Sequence, residues 1–374
     1  MSSPVTVPKL FQPIKVGGRM YAHRVVMAPL TRYRANKAHV HGDLAVEYYG
    51  QRATVPGTLI ITEATFIAAK AGGYRNVPGI WSDEQVVAWK RVTDAVHGNG
   101  SRIFCQLWAL GRAADPQVLE EEDPSFPFVA PSDIPMTGSP KAPRPLTISE
   151  IKEYIKLYTT AAKNAIRAGF DGVELHGANG YLVDQFLQDV SNKRTDEYGG
   201  SIENRSRFAL EIIDSVTNVI GEERMGIRLS PWGDFQDMRM PDLKPTFSYL
   251  VSQIAARHPN FAYIHVVEAR TNGNRDRVPE PGEASFDNDF LRKIWAPRTF
   301  ISAGGHSRET AFETAEKNGD LVAFGRFFIS HPDLPLRLAQ NLPISKGDRD
   351  TYYSKEDPHG YIDYPFTDDT QAKL

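Results

Sequence analysis

The feature that most constrains this chain is an alternation repeated from end to end. Short runs of apolar and β-branched residues are each followed by a longer stretch. Eight strands are expected, at residues 24–27, 58–65, 101–108, 172–176, 225–230, 263–267, 299–303 and 321–324. Amphipathic helical stretches are expected at 84–97, 148–168, 202–220, 246–256 and 332–340. Within 148–168, Ile151, Tyr154, Ile155, Tyr158, Ala161 and Ala162 recur at three- and four-residue intervals, as a helix with one buried face requires. Strands alternating with helices imply a parallel sheet, and eight is the number that closes a barrel. The competing open, doubly wound sheet would carry a glycine-rich phosphate turn early in the chain, and no G-x-G-x-x-G occurs. The expected fold is a single (β/α)8 TIM barrel over residues 1–374. Its pattern is thinnest at the sixth and seventh helices, between His265 and Leu321, where Gly and Pro are frequent.

Three segments stand outside the alternation. Residues 8–23 contain Gly17-Gly18 in a hairpin context, expected to plug the barrel's bottom. Residues 111–147 are rich in Pro and acidic residues, and residues 345–366 are rich in aromatics without helical period. Loops of that length in a compact domain are expected to be lids or binding loops. Composition narrows the partners. A net charge of -3 leaves no basic footprint for nucleic acid, and no apolar run reaches the ~20 residues of a membrane helix. The N-terminus lacks a secretory pattern, and the single cysteine, Cys105, lies in a strand-like run where buried packing is expected. These point to a reducing, cytoplasmic setting. The tripeptide Ala372-Lys373-Leu374 is close to a peroxisomal address, which keeps that compartment as a second option.

In such a barrel the chemistry sits at the C-terminal ends of the strands. Those ends carry Pro29, Leu30 and Thr31; Glu63 and Ala64; Gln106 and Trp108; His176, Asn179 and Tyr181; Arg228 and Ser230; Gly304 and Gly305; Gly325 and Arg326. A side-chain period of two puts Gln106 and Trp108 on one face and Cys105 and Leu107 on the other; Arg228 likewise opposes Ile227 and Leu229. The polar set is expected to face the mouth. Arg228 there needs either an anionic or polar ligand or an interior carboxylate such as Glu174. Gly304, Gly305 and Gly325 could be plain turn formers. Beside Arg326, at the usual phosphate place of these barrels, they read as a cradle for one phosphate. One cradle without a dinucleotide fingerprint suits a mononucleotide. Gln106 and Thr31 suit the hydrogen-bonding edge of a flavin, with Arg228 beside the edge that becomes negative on reduction. His176 and Asn179, three residues apart at a strand end, can converge on one oxygen, and Tyr181 can deliver a proton. A core histidine is the plainer reading of His176; a metal is not expected, for want of neighbouring ligands.

These residues, with Ala28-Pro29-Leu30-Thr31-Arg32, Phe104-Cys105-Gln106-Leu107-Trp108, the run from Val173 through Asp196-Glu197-Tyr198-Gly199-Gly200 to Phe208, Phe324-Gly325-Arg326-Phe327-Phe328 and His359-Gly360-Tyr361-Ile362-Asp363-Tyr364-Pro365, resemble the Old Yellow Enzyme family in order, over roughly residues 10–366. The resemblance implies a non-covalent FMN, NADPH or NADH as reductant, and reduction of α,β-unsaturated carbonyl or nitro compounds. It places Pro29, Leu30, Thr31, Ala64, Gln106, Arg228, Gly304, Gly305, Gly325 and Arg326 at the FMN. His176 and Asn179 would bind the activating group, with Trp108, Phe235 and Tyr353 around the substrate. Hydride would pass through flavin N5 to the β-carbon of an electron-poor alkene, with Tyr181 protonating the α-carbon, in ping-pong order. Ala64 stands where some members carry Gly, and Gly305 where some carry Asn. The rival functions are a flavin-free aldolase or isomerase, a non-catalytic flavin or phenol binder, and a reductase dedicated to one secondary-metabolite substrate. A monomer and a homodimer are equally compatible with the sequence.

Overall fold

A computed structural model describes residues 7–273, 275–277 and 286–367; the C-terminal tripeptide therefore lies outside the described residues. Eight parallel strands close on themselves: β1 Val25–Met27, β2 Leu59–Ile61, β3 Arg102–Trp108, β4 Gly172–Gly177, β5 Met225–Leu229, β6 Tyr263–Val267, β7 Phe300–Ala303 and β8 Leu321–Phe324. Closure is direct, since Val25 of β1 registers with Val322 of β8 and Leu59 of β2 with Arg102 of β3. The helices after the strands are α1 Asp43–Arg52, α2 Asp83–Gly98, α3 Ile148–Arg167, α4 Ile202–Ile220, α5 Lys244–Arg257, α6 Asp289–Trp295, α7 Arg308–Asn318 and α8 Leu334–Gln340. The expected TIM barrel is the observed one.

Strand alternation sorts the core into two shells. Val26, Leu59, Ile61, Phe104, Tyr263, Ile301, Leu321 and Ala323 pack together inside the barrel. Their neighbours Val25, Ile60, Ile103, Cys105, Val173, Ile227, Ile264 and Val322 pack outward against the helices. Cys105 is fully buried there, and burial pushes its thiol up to about 12, so it is a packing residue. The α3 helix starts where Thr147 and Glu150 form a reciprocal capping box, and it buries Ile151, Tyr154, Ile155, Tyr158, Ala161 and Ala162.

The N-terminal hairpin, Ile14–Val16 paired with Arg19–Tyr21, turns through Gly17 and Gly18 at φ 52° and 80°. Val16 and Tyr21 join the inner shell, and a Cβ on Gly17 would lie 2.0 Å from the Glu223 carbonyl just before β5. The hairpin thus closes the bottom of the barrel. At the opposite end residues 351–361 are tied to the loop after the first strand. Arg32 donates to the Tyr352 and Gly360 carbonyls at 3.0 and 2.7 Å, and Arg34 donates to the Thr351 carbonyl at 2.9 Å. Tyr361 stacks on Tyr48 of α1 at 4.0 Å, and the Arg52 guanidinium lies over the Tyr48 ring at 3.6 Å. Backbone carbonyls and aromatic faces thereby solvate three cations withdrawn from water.

Two expectations shift. The second strand stops at Ile61, because residues 62–64 turn into the mouth before Thr65–Phe66 resumes pairing on Leu107 and Trp108. The thin region contains two short mouth strands, Thr271–Asn272 and Arg275–Asp276, and only then the seven-residue α6.

Buried histidines make stability pH-dependent. Desolvation lowers His23 and His331 to about 4 and His306 to about 3, and also lowers His176 and His265. The unfolded chain takes up these protons near pH 6.5, so below that pH it binds more protons than the native state, and stability falls as pH falls. Asp184 and Asp320, raised to about 6 mainly by burial, oppose this between about pH 6 and 4, but five histidines outweigh two carboxylates. A Tm series should drop steadily from pH 7 to 5; a flat or rising Tm over that range would contradict this balance.

Candidate active site

A cavity of about 710 Å³ opens at the C-terminal ends of the strands. The residues assigned to cofactor, substrate and proton transfer all line it: Pro29, Leu30 and Thr31 after β1, Ala64 after β2, Gln106 and Trp108 of β3, His176, Asn179 and Tyr181 at the end of β4, Arg228 of β5, Phe235, Gly304 and Gly305 after β7, Gly325 and Arg326 after β8, and Tyr353; Glu63 and Ser230, also at strand ends, lie behind them. Residues drawn from the whole length of the chain meet because the barrel brings all eight strand ends to one rim.

One end of the cavity is built for an anion. Gly304 and Gly305 hold φ of 101° and 62°, and a Cβ on Gly304 would meet Thr271 Oγ1 at 2.8 Å. Arg326 stands beside them, ion-paired with Asp276. Lys346 and Arg349 line the same cavity, so the end is cationic as well as glycine-rich.

The floor is polar and buried. Arg228 Nε has no hydrogen-bond partner among the described residues, and burial lowers its pKa against the opposing charge of Glu174. The carboxylate considered from the sequence as its ion-pair partner is occupied elsewhere. Glu174 accepts from Gln106 Nε2 at 2.7 Å and faces His265 Nδ1 at 2.9 Å. A buried guanidinium N–H with no protein acceptor fits a ligand that brings one. With the cradle and the Gln106 amide, these residues fit a planar heterocycle carrying a phosphate.

The third part is aromatic. Trp108 stacks near-parallel to His176 at 5.9 Å and meets Tyr181 edge-on at 4.7 Å; His176 and Tyr181 are 5.0 Å apart. His176 Nδ1 accepts from the Ala178 N–H at 3.4 Å, which leaves Nε2–H as a donor for the cavity. Desolvation first, then the charge of Arg228, hold its pKa well below the usual histidine range, so the ring is neutral. Burial holds the Tyr181 phenol well above 10. Asn179 sits at φ 57°, a left-handed conformation that asparagine tolerates, with its N–H on Ser230 Oγ at 2.7 Å.

Sequence reading missed part of the wall. Tyr33 contacts Tyr74 and Tyr353 edge-on at 6.5 and 5.9 Å, and Tyr74 contacts Trp108 at 5.8 Å. Tyr33 lies two residues beyond Thr31 and Tyr74 directly after Gly72-Gly73, positions that strand-end counting could have reached. Asp276 ends a two-residue strand, Arg349 opens a single 3-10 turn and Lys346 lies in a loop, all too short to show a period.

A closed parallel barrel with this mouth is that of an FMN-dependent oxidoreductase, with a nicotinamide as reductant. The chain belongs to the NADH:flavin oxidoreductase / NADH oxidase family, whose model matches residues 9–345. It is 48% identical over 368 residues to the NADP-dependent oxidoreductase lnbE of Aspergillus flavus, covering 96% of this chain and 97% of that one. It is 48% identical over 370 residues to the chanoclavine-I aldehyde reductase fgaOx3 of Penicillium roqueforti, covering 98% of each. Among solved structures, the Old Yellow Enzyme from Pichia sp. AKU4542 superposes with a TM-score of 0.87 at 39% identity, covering 96% of this chain and 94% of that one. The family resemblance drawn from the sequence therefore stands, and the flavin-free aldolase or isomerase is set aside.

Proposed function

We propose that this protein is an ene-reductase acting on alkenes conjugated to a carbonyl or nitro group. The observation that carries the reading is that His176, Asn179 and Tyr181 line the same cavity as the glycine cradle and Arg228, with the His176 and Tyr181 rings 5.0 Å apart. Bound FMN supplies the hydride relay between reduced nicotinamide and the alkene. Pro29, Leu30, Thr31, Ala64, Gln106, Arg228, Gly304, Gly305, Gly325 and Arg326 are the residues that would hold it. The neutral His176 Nε2–H and the Asn179 amide donate to the substrate oxygen and draw charge away from the C=C bond. Tyr181, protonated throughout the physiological range, gives its phenolic proton to the α-carbon. Trp108, Phe235 and Tyr353 bound the substrate space and exclude water.

A narrower reading has its own support. The wall formed by Tyr33, Tyr74, Tyr353 and Trp108 is broad and aromatic, and relatives of this chain are named aldehyde reductases. An extended enal from a secondary-metabolite route suits both. The reading is tested by following the flavin band near ~450 nm under anaerobic conditions. NADPH should bleach it, and 2-cyclohexenone should restore it. A reduced flavin that no enone or enal reoxidises would overturn the reading.

A further inference from the structure

Beneath the mouth, one carboxylate has a task that the reaction itself does not assign. Glu174 lies in β4 with its side chain fully withdrawn from solvent. It registers with Gln106 of β3, while Arg228 of β5 registers with His265 of β6. Its two oxygens face Gln106 Nε2 and His265 Nδ1. A carboxylate only accepts hydrogen bonds, so it dictates which end of the Gln106 amide turns toward it. The nitrogen must face Glu174, and the oxygen is left for the cavity. The backbone of Gln106 is pinned as well, its N–H donating to Thr62 Oγ1 at 3.0 Å. Glu174 registers with Gly226 of β5, one inward-facing position below Arg228 on the neighbouring strand, and is the opposing charge felt by it.

We propose that Glu174 is a positioning residue for the flavin. It locks the Gln106 amide so that the cavity presents a hydrogen-bond acceptor, matched to the imide N–H of an isoalloxazine ring, and it supplies the counter-charge beneath Arg228. This rests on Gln106 and Arg228 being flavin contacts. A purely structural carboxylate would tie β3 to β6, and its loss would lower stability without a specific loss of FMN affinity.

The test is FMN binding to deflavinated protein, followed by fluorescence quenching of the free flavin, with the visible spectrum of the complex and the Tm recorded alongside. Glu174→Gln keeps the shape of the side chain but can donate to Gln106, turning the amide nitrogen toward the ring. The FMN Kd is expected to rise roughly ten- to a hundredfold, the scale of one charge-assisted hydrogen bond replaced by facing donors. The exchanged pair, Gln106→Glu with Glu174→Gln, restores both an acceptor toward the cavity and the negative charge. It is expected to bind FMN at least fivefold more tightly than Glu174→Gln alone. A single variant that binds within twofold of the parent, or an exchanged pair no tighter than the single variant, would overturn the positioning role. Gln106→Leu separates the underlying assignment. If it leaves the Kd unchanged, Gln106 is no flavin contact and the proposal falls with it.

Discussion

Replacing Tyr181 with phenylalanine should slow reduction of an enone by about 10²- to 10⁴-fold, the span expected for a positioned general acid, while leaving bleaching of the flavin by NADPH within about twofold. The asymmetry follows from where the hydroxyl sits. Tyr181 follows Asn179 and Gly180 at the end of β4, and its ring packs edge-on against both Trp108 and His176. Phenylalanine preserves those contacts and removes only the transferable proton. Reduction of the flavin by nicotinamide requires no proton on an alkene carbon, so that step has no use for the phenol. Stopped-flow measurement of the two half-reactions separates them. Equal slowing of both would remove Tyr181 from the proton-transfer role. Because burial holds the phenol well above 10, the parent enzyme should also show no loss of alkene reduction between pH 6 and 9 from Tyr181 ionisation.

The second large effect is expected where the substrate oxygen is held. His176→Ala and Asn179→Gly should each lower the rate of alkene reduction by about 10²- to 10³-fold, as removal of one donor from a developing oxyanion does. Their combination should fall short of the product, because one remaining donor cannot do the work of a pair. Glycine is the appropriate replacement at 179, since the native φ of 57° would strain alanine. FMN affinity serves as the control and should stay within about threefold in both variants. A variant that loses flavin in proportion to its activity would indicate a collapsed mouth rather than a lost activating contact.

Much of this molecule could be read before its coordinates. The barrel strands were legible because inner and outer shells alternate residue by residue, as with Gln106 between Cys105 and Leu107. The α4 helix was legible to its ends, Ile202 and Ile220, because Ser201 caps it and Gly221 ends it at φ 89°. The short helix Leu182–Leu187 was not, because all six residues are buried, Asp184 and Gln185 among them, and a helix buried all round has no polar face to mark its period. The site residues were legible where they end strands. What lay beyond reach was pairing across strands. Nothing in the order of residues says that Glu174 meets Gln106 and His265 rather than Arg228; only the register between β3, β4, β5 and β6 decides it.

The arginine ties between the chain's two ends also set a timetable. The carbonyls that Arg32 and Arg34 hold, and the ring that stacks on Tyr48, belong to residues 351–361, and Tyr352 and Tyr353 in that stretch line the cavity. During synthesis Arg32, Arg34 and Arg52 leave the ribosome roughly three hundred residues before those acceptors exist. The barrel's rim is thus finished by residues 351–361, so a nascent chain that has not yet reached them lacks a wall of the chamber in which hydride would have to be shielded from solvent and oxygen.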